Sequence, residues 1–112
     1  MKIRKEITCP LEVTHDIIKG KWKTVILYQL KYYGRSSLSQ LEKGINGISQ
    51  KMLLQQLKEL IDFGLVEKET FAGYPLRVEY FISEGRGRKL LEALEIMQEV
   101  GQEYLDDEED KE

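Results

Sequence analysis

The feature that most constrains this chain is an amphipathic stretch near its centre, from Ile48 to Gly64. Ser49 is placed to cap a helix by accepting a hydrogen bond from one of the first backbone N–H groups. Ile48 and Leu53 have the spacing of a hydrophobic staple around that cap. Gly64 can adopt the left-handed conformation that closes a helix. The stretch therefore predicts a helix whose two ends are both marked.

This predicted helix has two different faces. Apolar residues recur at helical spacing and predict a buried stripe of Leu53, Leu57, Leu60 and Ile61. The other face carries no acid before Glu59 and contains Gln50, Lys51, Gln55 and Lys58. Amides and amines match the base edges of a DNA major groove, where a carboxylate would repel phosphate. A solvated surface helix would have the same composition, so the neighbouring sequence has to separate the two interpretations.

A shorter helix is predicted immediately before this stretch. Ser37 can cap it, and Gln40 three residues later completes a capping box. The segment from Gly44 to Gly47 then supplies a turn. A helix, a short glycine-containing turn and a second helix form a helix-turn-helix. We count Ser37, at the start of the first of these helices, among the residues expected to contact DNA.

Beyond Gly64 the apolar period changes from helical to alternating. Residues 66–71 and 77–82 are rich in β-forming side chains, and residues 72–76 join them, which predicts a β-hairpin. A hairpin directly after a helix-turn-helix is the wing of a winged helix. Arg77, near the hairpin tip, suits the negative potential of a narrow minor groove. Alternatively, Arg77 pairs across the strands with an acid such as Glu69.

Two helices are predicted before the helix-turn-helix and one after the hairpin. Thr8 and Pro10 open the first and Gly20 ends it, and the second covers about residues 21–33. Its inner stripe is predicted to be Trp22, Val25, Ile26 and Leu30. The last helix is predicted to begin after Ser83. The fold class is thus α+β and mostly helical, a winged helix-turn-helix with additional helices at both ends.

The last helix carries a long apolar stripe with a heptad-like spacing. Its members are Leu90, Leu94, Met97, Gly101 and Tyr104. Such a face is often the seam of a dimer, and two copies would read the two halves of a palindromic site. The alternative is that the same face packs on its own domain. We favour the dimer.

Charge is divided unevenly along the chain. The first 58 residues contain 11 Lys and Arg against 4 Asp and Glu, whereas the rest contain 6 against 16. The positive charge therefore surrounds the candidate DNA-binding helix, which matters more for a polyanion than the overall pI. We divide the chain into a winged-helix domain over residues 1–105 and an acidic, disordered tail over residues 106–112.

Several short motifs together resemble the HxlR-type family of bacterial and archaeal regulators, which is related to the MarR group. The resemblance covers about residues 7–105. The motifs are Cys9-Pro10, Gly20-Lys21-Trp22, Gly47-Ile48-Ser49-Gln50-Lys51-Met52-Leu53, Gly64-Leu65-Val66 and Arg77-Val78-Glu79-Tyr80. The family implies a winged-helix homodimer that binds an inverted repeat in double-stranded DNA. It implies dimer contacts through the first and last helices, where Leu11 is a candidate. It also implies major-groove positions for Ser49, Gln50, Lys51, Gln55 and Lys58, with Arg77 in the wing.

The segment from Ser83 to Arg88 is one residue longer than the family pattern at this place, so the start and phase of the last helix are open. Cys9 is the only cysteine, and in several relatives the cysteine at this position senses oxidants or electrophiles. A thiol before a helix N-terminus has its thiolate stabilised by the helix dipole, and Lys2, Arg4 and Lys5 are close in sequence. The alternative is that Cys9 is a small residue with no signalling role.

Other functional classes have little support in the sequence. One histidine and one cysteine supply no zinc-type spacing, and no phosphate loop or nucleophile motif occurs. We therefore expect no metal, no cofactor and no enzyme activity, and the effector is left open. Without a membrane-spanning apolar run or a signal peptide, and with a single cysteine, the chain is expected in the cytoplasm. The alternative function is a winged helix that binds protein partners and not DNA.

Overall fold

A computed structural model describes residues 6–111 of the chain. Within these residues, five helices and one two-stranded antiparallel sheet follow each other in the predicted order. Their bounds are α1 Leu11–Ile18, α2 Lys23–Tyr33, α3 Leu38–Gly44, α4 Gln50–Asp62, β1 Val66–Phe71, β2 Arg77–Ile82 and α5 Arg86–Asp110. The α+β winged helix-turn-helix expected from the sequence is confirmed, and the two strands have the bounds that the alternating pattern predicted.

α4 is the centre of the core. Leu53, Leu57 and Leu60 are almost completely buried, whereas Ile61 is half-buried at the edge of the stripe. Burial of each leucine contributes roughly 1.5–3 kcal/mol. α2 and α3 supply most of the opposing surface through Ile26, Leu27, Leu30 and Leu41. The predicted apolar stripe of α4 is therefore what attaches this helix to the domain.

Local hydrogen bonds define the ends of the helix-turn-helix as predicted. The Ser49 hydroxyl accepts a bond from the backbone N–H of Met52 at 3.1 Å. The Ser37 hydroxyl accepts from the Gln40 N–H, and the Gln40 amide oxygen accepts in return from the Ser37 N–H. Gly64 has a φ of 77°, so the backbone leaves α4 through the left-handed region that favours glycine. These caps separate α3 from α4 by one short turn.

The hairpin is attached to both sides of the helix-turn-helix. The register pairs Val66 with Ile82 and Phe71 with Arg77. The backbone N–H and carbonyl of Tyr80 bond to the carbonyl and N–H of Ser36, which adds a short bridge to β2 from the segment before α3. The hairpin is thus bonded through β2 to the segment before α3. Its loop at residues 72–76 projects outward.

The start of α5 resolves the phase that the sequence left open. The Ser83 hydroxyl donates to the carbonyl of Gly64 at 2.7 Å and accepts from the N–H of Gly87 at 2.8 Å. A Cβ on Gly87 would lie 2.2 Å from the carbonyl oxygen of Leu65. Only glycine therefore permits this close approach of α5 to the end of α4. The helix begins at Arg86, three residues after Ser83.

Two expectations about the first helices are wrong. Thr8 does not cap α1, because the N-cap position is Pro10, two residues later, and no side chain caps the helix there. The Glu12 carboxylate accepts the backbone N–H groups of Thr8 and Cys9.

On α2, Val25 is 39% exposed, whereas Leu27 is buried. Because the helix turns 100° per residue, Val25 and Leu27 lie on opposite sides of Ile26, and the buried stripe is centred on Ile26, Leu27 and Leu30.

In the structure, α5 extends into the acidic C-terminal segment that was predicted as a tail. α5 continues through residues 106–110, and the Gln102 amide donates to the Asp106 carboxylate one turn later at 3.0 Å. Extending an existing helix adds one backbone hydrogen bond for each residue that is ordered. The helical part of the chain therefore includes most of the acidic segment, and residue 112 lies outside the described residues.

Candidate nucleic-acid interface

The outward face of α4 is polar and open. All five residues expected at the major groove are exposed: Ser49, Gln50, Lys51, Gln55 and Lys58. Four of them follow each other around one side of the helix, opposite the buried leucines. Ser49 is the exception, because its hydroxyl is used as the helix cap. α4 therefore presents two amides and two amines on an exposed face. The Lys58 ammonium also lies 3.2 Å from the Asp62 carboxylate.

Lys23, a buried lysine that was not predicted as a site residue, forms an ion pair with Glu59, the first acid on α4. Lys23 on α2 is only 3% exposed, and its ammonium group lies 3.2 Å from the Glu59 carboxylate. It also donates to the amide oxygen of Gln56 at 2.8 Å. The Gln56 amide nitrogen in turn lies 3.3 Å from Glu59. These three side chains, which we call the Lys23 clamp, direct the first acid of α4 toward α2 and away from the free amides.

A groove joins α4 to the wing. It has a volume of about 390 Å³ and is lined by Leu54, Leu57, Lys58, Ile61, Asp62, Lys68 and Tyr80. Lys68 on β1 is exposed and lies directly opposite Tyr80 in the hairpin. The groove thereby brings a wing lysine to the same surface as Lys58. Lys68 was not predicted as a site residue, because only the packing of β1 against α4 reveals its position.

Arg77 lies at the outer end of the hairpin, where its side chain is 62% exposed. Its guanidinium is centred 4.2 Å from the Phe71 ring on the facing strand. Its Nε lies 3.7 Å from the Glu79 carboxylate. The ion pair with Glu79 is weak, because an exposed pair at this distance is screened by salt. The guanidinium is therefore supported from one side and open on the other.

The alternative pairing of Arg77 with Glu69 is wrong. Glu69 forms its ion pair with Arg35, and Arg77 lies near Glu79 on its own strand. The Arg35 guanidinium lies 2.6 Å from Glu69 and 3.5 Å from Glu79, and it covers the Phe81 ring at 4.0 Å. The hydrogen bond to Glu69 is the largest cause that raises the pKa of Arg35 above its ordinary value. Glu69 and Glu79 are directly opposite in the register. Arg35 thus bridges two like charges that would otherwise repel each other.

Ser37 is separate from this polar face. It is half-buried, and its hydroxyl and backbone N–H are both used in the capping box with Gln40. Lys68 and Lys58 share the groove, whereas Arg77 lies farther out on the hairpin. The expected DNA-contacting residues therefore fall into one compact set on α4, one arginine on the wing, and a half-buried serine that caps α3.

Cys9 is exposed, and it precedes α1. Its backbone N–H donates to the Glu12 carboxylate at 2.9 Å. A negative charge therefore already occupies the start of α1, where the helix dipole was expected to stabilise a thiolate. The nearby bases Lys2, Arg4 and Lys5 lie outside the described residues. The thiol is accessible to reagents in solution.

The residues expected at a dimer seam divide into two groups. Leu90 and Leu94 are half-buried against the core of their own domain. Leu11, Met97, Gly101 and Tyr104 are exposed, Leu11 at 72% and Tyr104 at 64%. Ile96, Val100 and Leu105 are exposed on the same part of α5. The first turns of α5 thus belong to the domain, and the later turns present an apolar surface that no other part of residues 6–111 covers.

Within residues 6–111, no group of three or more His, Cys, Asp or Glu side chains could hold a metal ion. No helix in these residues has the length and apolarity needed to cross a membrane.

This chain is similar to known helix-turn-helix proteins. The chain matches the family model described as HxlR-like helix-turn-helix over residues 17–109. YdeP of Bacillus subtilis, an uncharacterised HTH-type transcriptional regulator, is 39% identical over 88% of this chain and 75% of its own length.

Two solved structures of regulators are similar to this chain. The redox regulator HypR in its reduced form is 35% identical, with a TM-score of 0.81 over 88% of this chain and 95% of HypR. Diamide-treated YodB of Bacillus subtilis is 28% identical, with a TM-score of 0.72 over 88% of this chain and 97% of YodB.

Proposed function

The chain belongs to the HxlR-like helix-turn-helix family, and from this membership we propose that it is a transcriptional regulator that binds double-stranded DNA as a homodimer. It would recognise an inverted repeat, with α4 of each copy in a major groove and the hairpin beside it. As a regulator of genomic DNA it would act in the cytoplasm. The relatives are HTH-type transcriptional regulators, which is the function that the fold and the exposed side chains support best.

The outward face of α4 is the observation that carries this proposal. Gln50, Lys51, Gln55 and Lys58 are exposed on a helix whose opposite face is buried. Amides can form paired hydrogen bonds with adenine, and lysines can contact guanine or phosphate. The Lys23 clamp supports the proposal from behind, because it compensates the Glu59 charge that would otherwise repel DNA.

The wing supports backbone contacts beside the major groove. Lys68 lines the groove next to α4, and Arg77 is stacked on Phe71 with its outer side open. A guanidinium held over an aromatic ring loses little freedom on binding, which favours its insertion near phosphates or into a minor groove. We therefore assign Lys68 to the DNA backbone and Arg77 to the backbone or the minor groove beside the recognition helix.

We propose that the homodimer forms through α1 and the later turns of α5. The exposed apolar side chains of α5 include Ile96, Met97, Val100 and Tyr104, and Leu11 is exposed on α1. An apolar surface of this kind is costly in water and is typical of an interface. Leu90 and Leu94 would form the continuation of the seam into the domain.

Cys9 is the proposed redox switch. Structural relatives include a redox regulator described in reduced and oxidised forms, and Cys9 is an exposed thiol at the edge of the proposed dimer helix. Two thiols that each lose a hydrogen to diamide form a disulfide, either between two Cys9 residues or with a small thiol. Either product would change the packing of α1 and, through the dimer, the spacing of the two α4 helices.

The test of the regulator is a fluorescence-anisotropy titration of the purified chain against duplexes from its own upstream region and against a random duplex of equal length. An unbiased oligonucleotide selection supplies the operator if that region lacks it. We expect sequence preference, weaker binding at higher salt, and a loss of affinity in Lys51→Ala that the control Lys111→Ala does not show. Retention of a protein partner from lysate without binding to any duplex would instead support an interaction module.

A separate titration tests Cys9. Operator binding is measured with the reduced and the diamide-treated protein, in the wild type and in Cys9→Ser. We expect diamide to change the affinity of the wild type and to leave the variant unchanged. Equal responses of the two proteins would remove Cys9 as the sensor while leaving the DNA-binding proposal intact.

A further inference from the structure

One apolar residue lies in the middle of the polar face of α4. Leu54 is 44% exposed. It follows Gln50 by one helical turn and precedes Lys58 by one turn, with Lys51 and Gln55 beside it. The buried stripe on the opposite side needs no contribution from it. Leu54 is therefore the single aliphatic side chain among the amides and amines that are proposed to face the bases.

The surroundings of Leu54 cover only part of its side chain. It lines the groove between α4 and the wing, together with Tyr80 and the two lysines Lys58 and Lys68. The groove provides neighbours for part of the leucine, and 44% of the residue stays exposed. A partner that covers this exposed aliphatic surface would remove it from water, which is favourable.

Only one base presents an apolar group in the major groove. Thymine carries a methyl group at C5, while the other groups on the groove edges are hydrogen-bond donors and acceptors. We infer that Leu54 is a specificity-determining residue that contacts a thymine methyl group in each half-site, an inference that rests on the proposed function. Gln50 and Gln55 would read the neighbouring bases by hydrogen bonds, and Lys58 and Lys68 would contact the phosphates beside them.

Replacing thymine by deoxyuracil tests this assignment directly. Uracil keeps the hydrogen-bonding groups of thymine and lacks only the methyl group. Each thymine of one operator half-site, and its symmetry mate, is replaced in turn, and affinities are measured by anisotropy. At one or two positions we expect the wild type to lose roughly 4-fold in affinity per methyl group, the equivalent of one buried methyl-sized group.

Variants connect the effect to Leu54. Leu54→Ala is expected to bind the thymine and uracil duplexes equally at those positions. The control Val25→Ala, which shortens a similarly exposed aliphatic residue on α2, is expected to retain the preference. If circular dichroism shows that Leu54→Ala is not folded, Leu54→Gln replaces it, because a glutamine is easily solvated at an exposed helical position and also lacks the apolar surface.

Three results would overturn the inference. A wild type that is indifferent to uracil at every position would show that no methyl group is read. A folded Leu54 variant that keeps the full preference would assign the methyl contact to another residue. A wild type that binds no duplex, including those from unbiased selection, would overturn the proposed function and this inference with it.

Discussion

The ammonium group of Lys23 lies 3.2 Å from a carboxylate oxygen of Glu59, across the interface between α2 and α4. The same group bonds to the amide oxygen of Gln56. On α4, which is proposed to contact DNA, Glu59 and Gln56 are thus bonded to a residue of α2 on the side away from the exposed amides. This arrangement separates the polar residues of α4 into those that stabilise the domain and those that are free to bind.

Lys23→Met should destabilise the domain. The change removes two hydrogen bonds that involve a buried charge, and we expect the free energy of unfolding to fall by about 1–3 kcal/mol. Urea denaturation at one fixed protein concentration measures it. The matched control Lys58→Met breaks an exposed pair with Asp62 and should cost less than about 1 kcal/mol. Equal effects of the two variants would contradict a structural role for the Lys23 clamp.

The pairing itself is measured by a double-mutant cycle. Glu59→Gln combined with Lys23→Met should be more stable than the sum of the two single effects predicts, because each single change leaves part of the pair without its partner. Additive effects would show that Lys23 and Glu59 contribute to stability independently of each other, leaving the Gln56 bond and packing as the contributions of Lys23.

Ser49→Ala should lower stability by about 1 kcal/mol, the usual contribution of a serine cap. The hydroxyl accepts the Met52 N–H, and alanine offers no acceptor to replace it. Thermal denaturation followed by circular dichroism measures the loss. Ser39→Ala, on an exposed position of α3, is the control and should be neutral or slightly stabilising because alanine favours the helix interior. A neutral Ser49→Ala would mean that water caps α4 equally well.

Lys51→Ala and Arg77→Ala should weaken operator binding through the loss of phosphate or base contacts. If each side chain neutralises one phosphate, the slope of log affinity against log salt should decrease in magnitude by about 1 in each variant. Lys111→Ala removes the same charge at the far end of α5 and should leave the slope unchanged. An unchanged slope in Arg77→Ala would show that Arg77 neutralises no phosphate and contacts only Phe71 and Glu79 within the hairpin.

Tyr80 should make the fold sensitive to alkaline pH. Burial raises the pKa of its hydroxyl above the ordinary value of 10.0. The unfolded chain therefore ionises this tyrosine first, so stability is unaffected below about pH 10 and is lost as the pH rises toward the folded pKa. Tyr80→Phe cannot ionise here. The stability difference between variant and wild type should be constant below pH 10 and should move in favour of the variant above it, as measured by urea denaturation across pH.

Local signals in the sequence were sufficient for the centre of the fold. The caps at Ser37 and Ser49, the exit at Gly64 and the alternating strands depend on side chains within a few residues of each other. The cap of α1 was predicted wrongly because the helix begins two residues later than a cap at Thr8 requires. Its N-cap position is Pro10, which has no side-chain acceptor. On α2, seven of the eleven residues are apolar or aromatic and they occur on several sides of the helix, so its sequence does not specify which side is buried.

The missed site residues depend on partners that are distant in sequence. Lys23 and Gln56 are separated by 33 positions, and Arg35 and Glu69 by 34. Composition along one helix does not reveal these contacts. Lys68 and Leu54 became site residues only when the hairpin was packed beside α4. The amide and amine face of α4 was predictable because it follows from helical geometry alone.

The uncovered apolar surface at the later turns of α5 has a consequence for dosage. If occupancy of an inverted repeat requires the dimer, and the monomers separate at low concentration, occupancy rises with the square of chain concentration below the dissociation constant of the dimer. A twofold change in expression then produces up to a fourfold change in promoter occupancy. A cell can thus set the threshold of this regulator through its copy number alone, before any chemical signal reaches it.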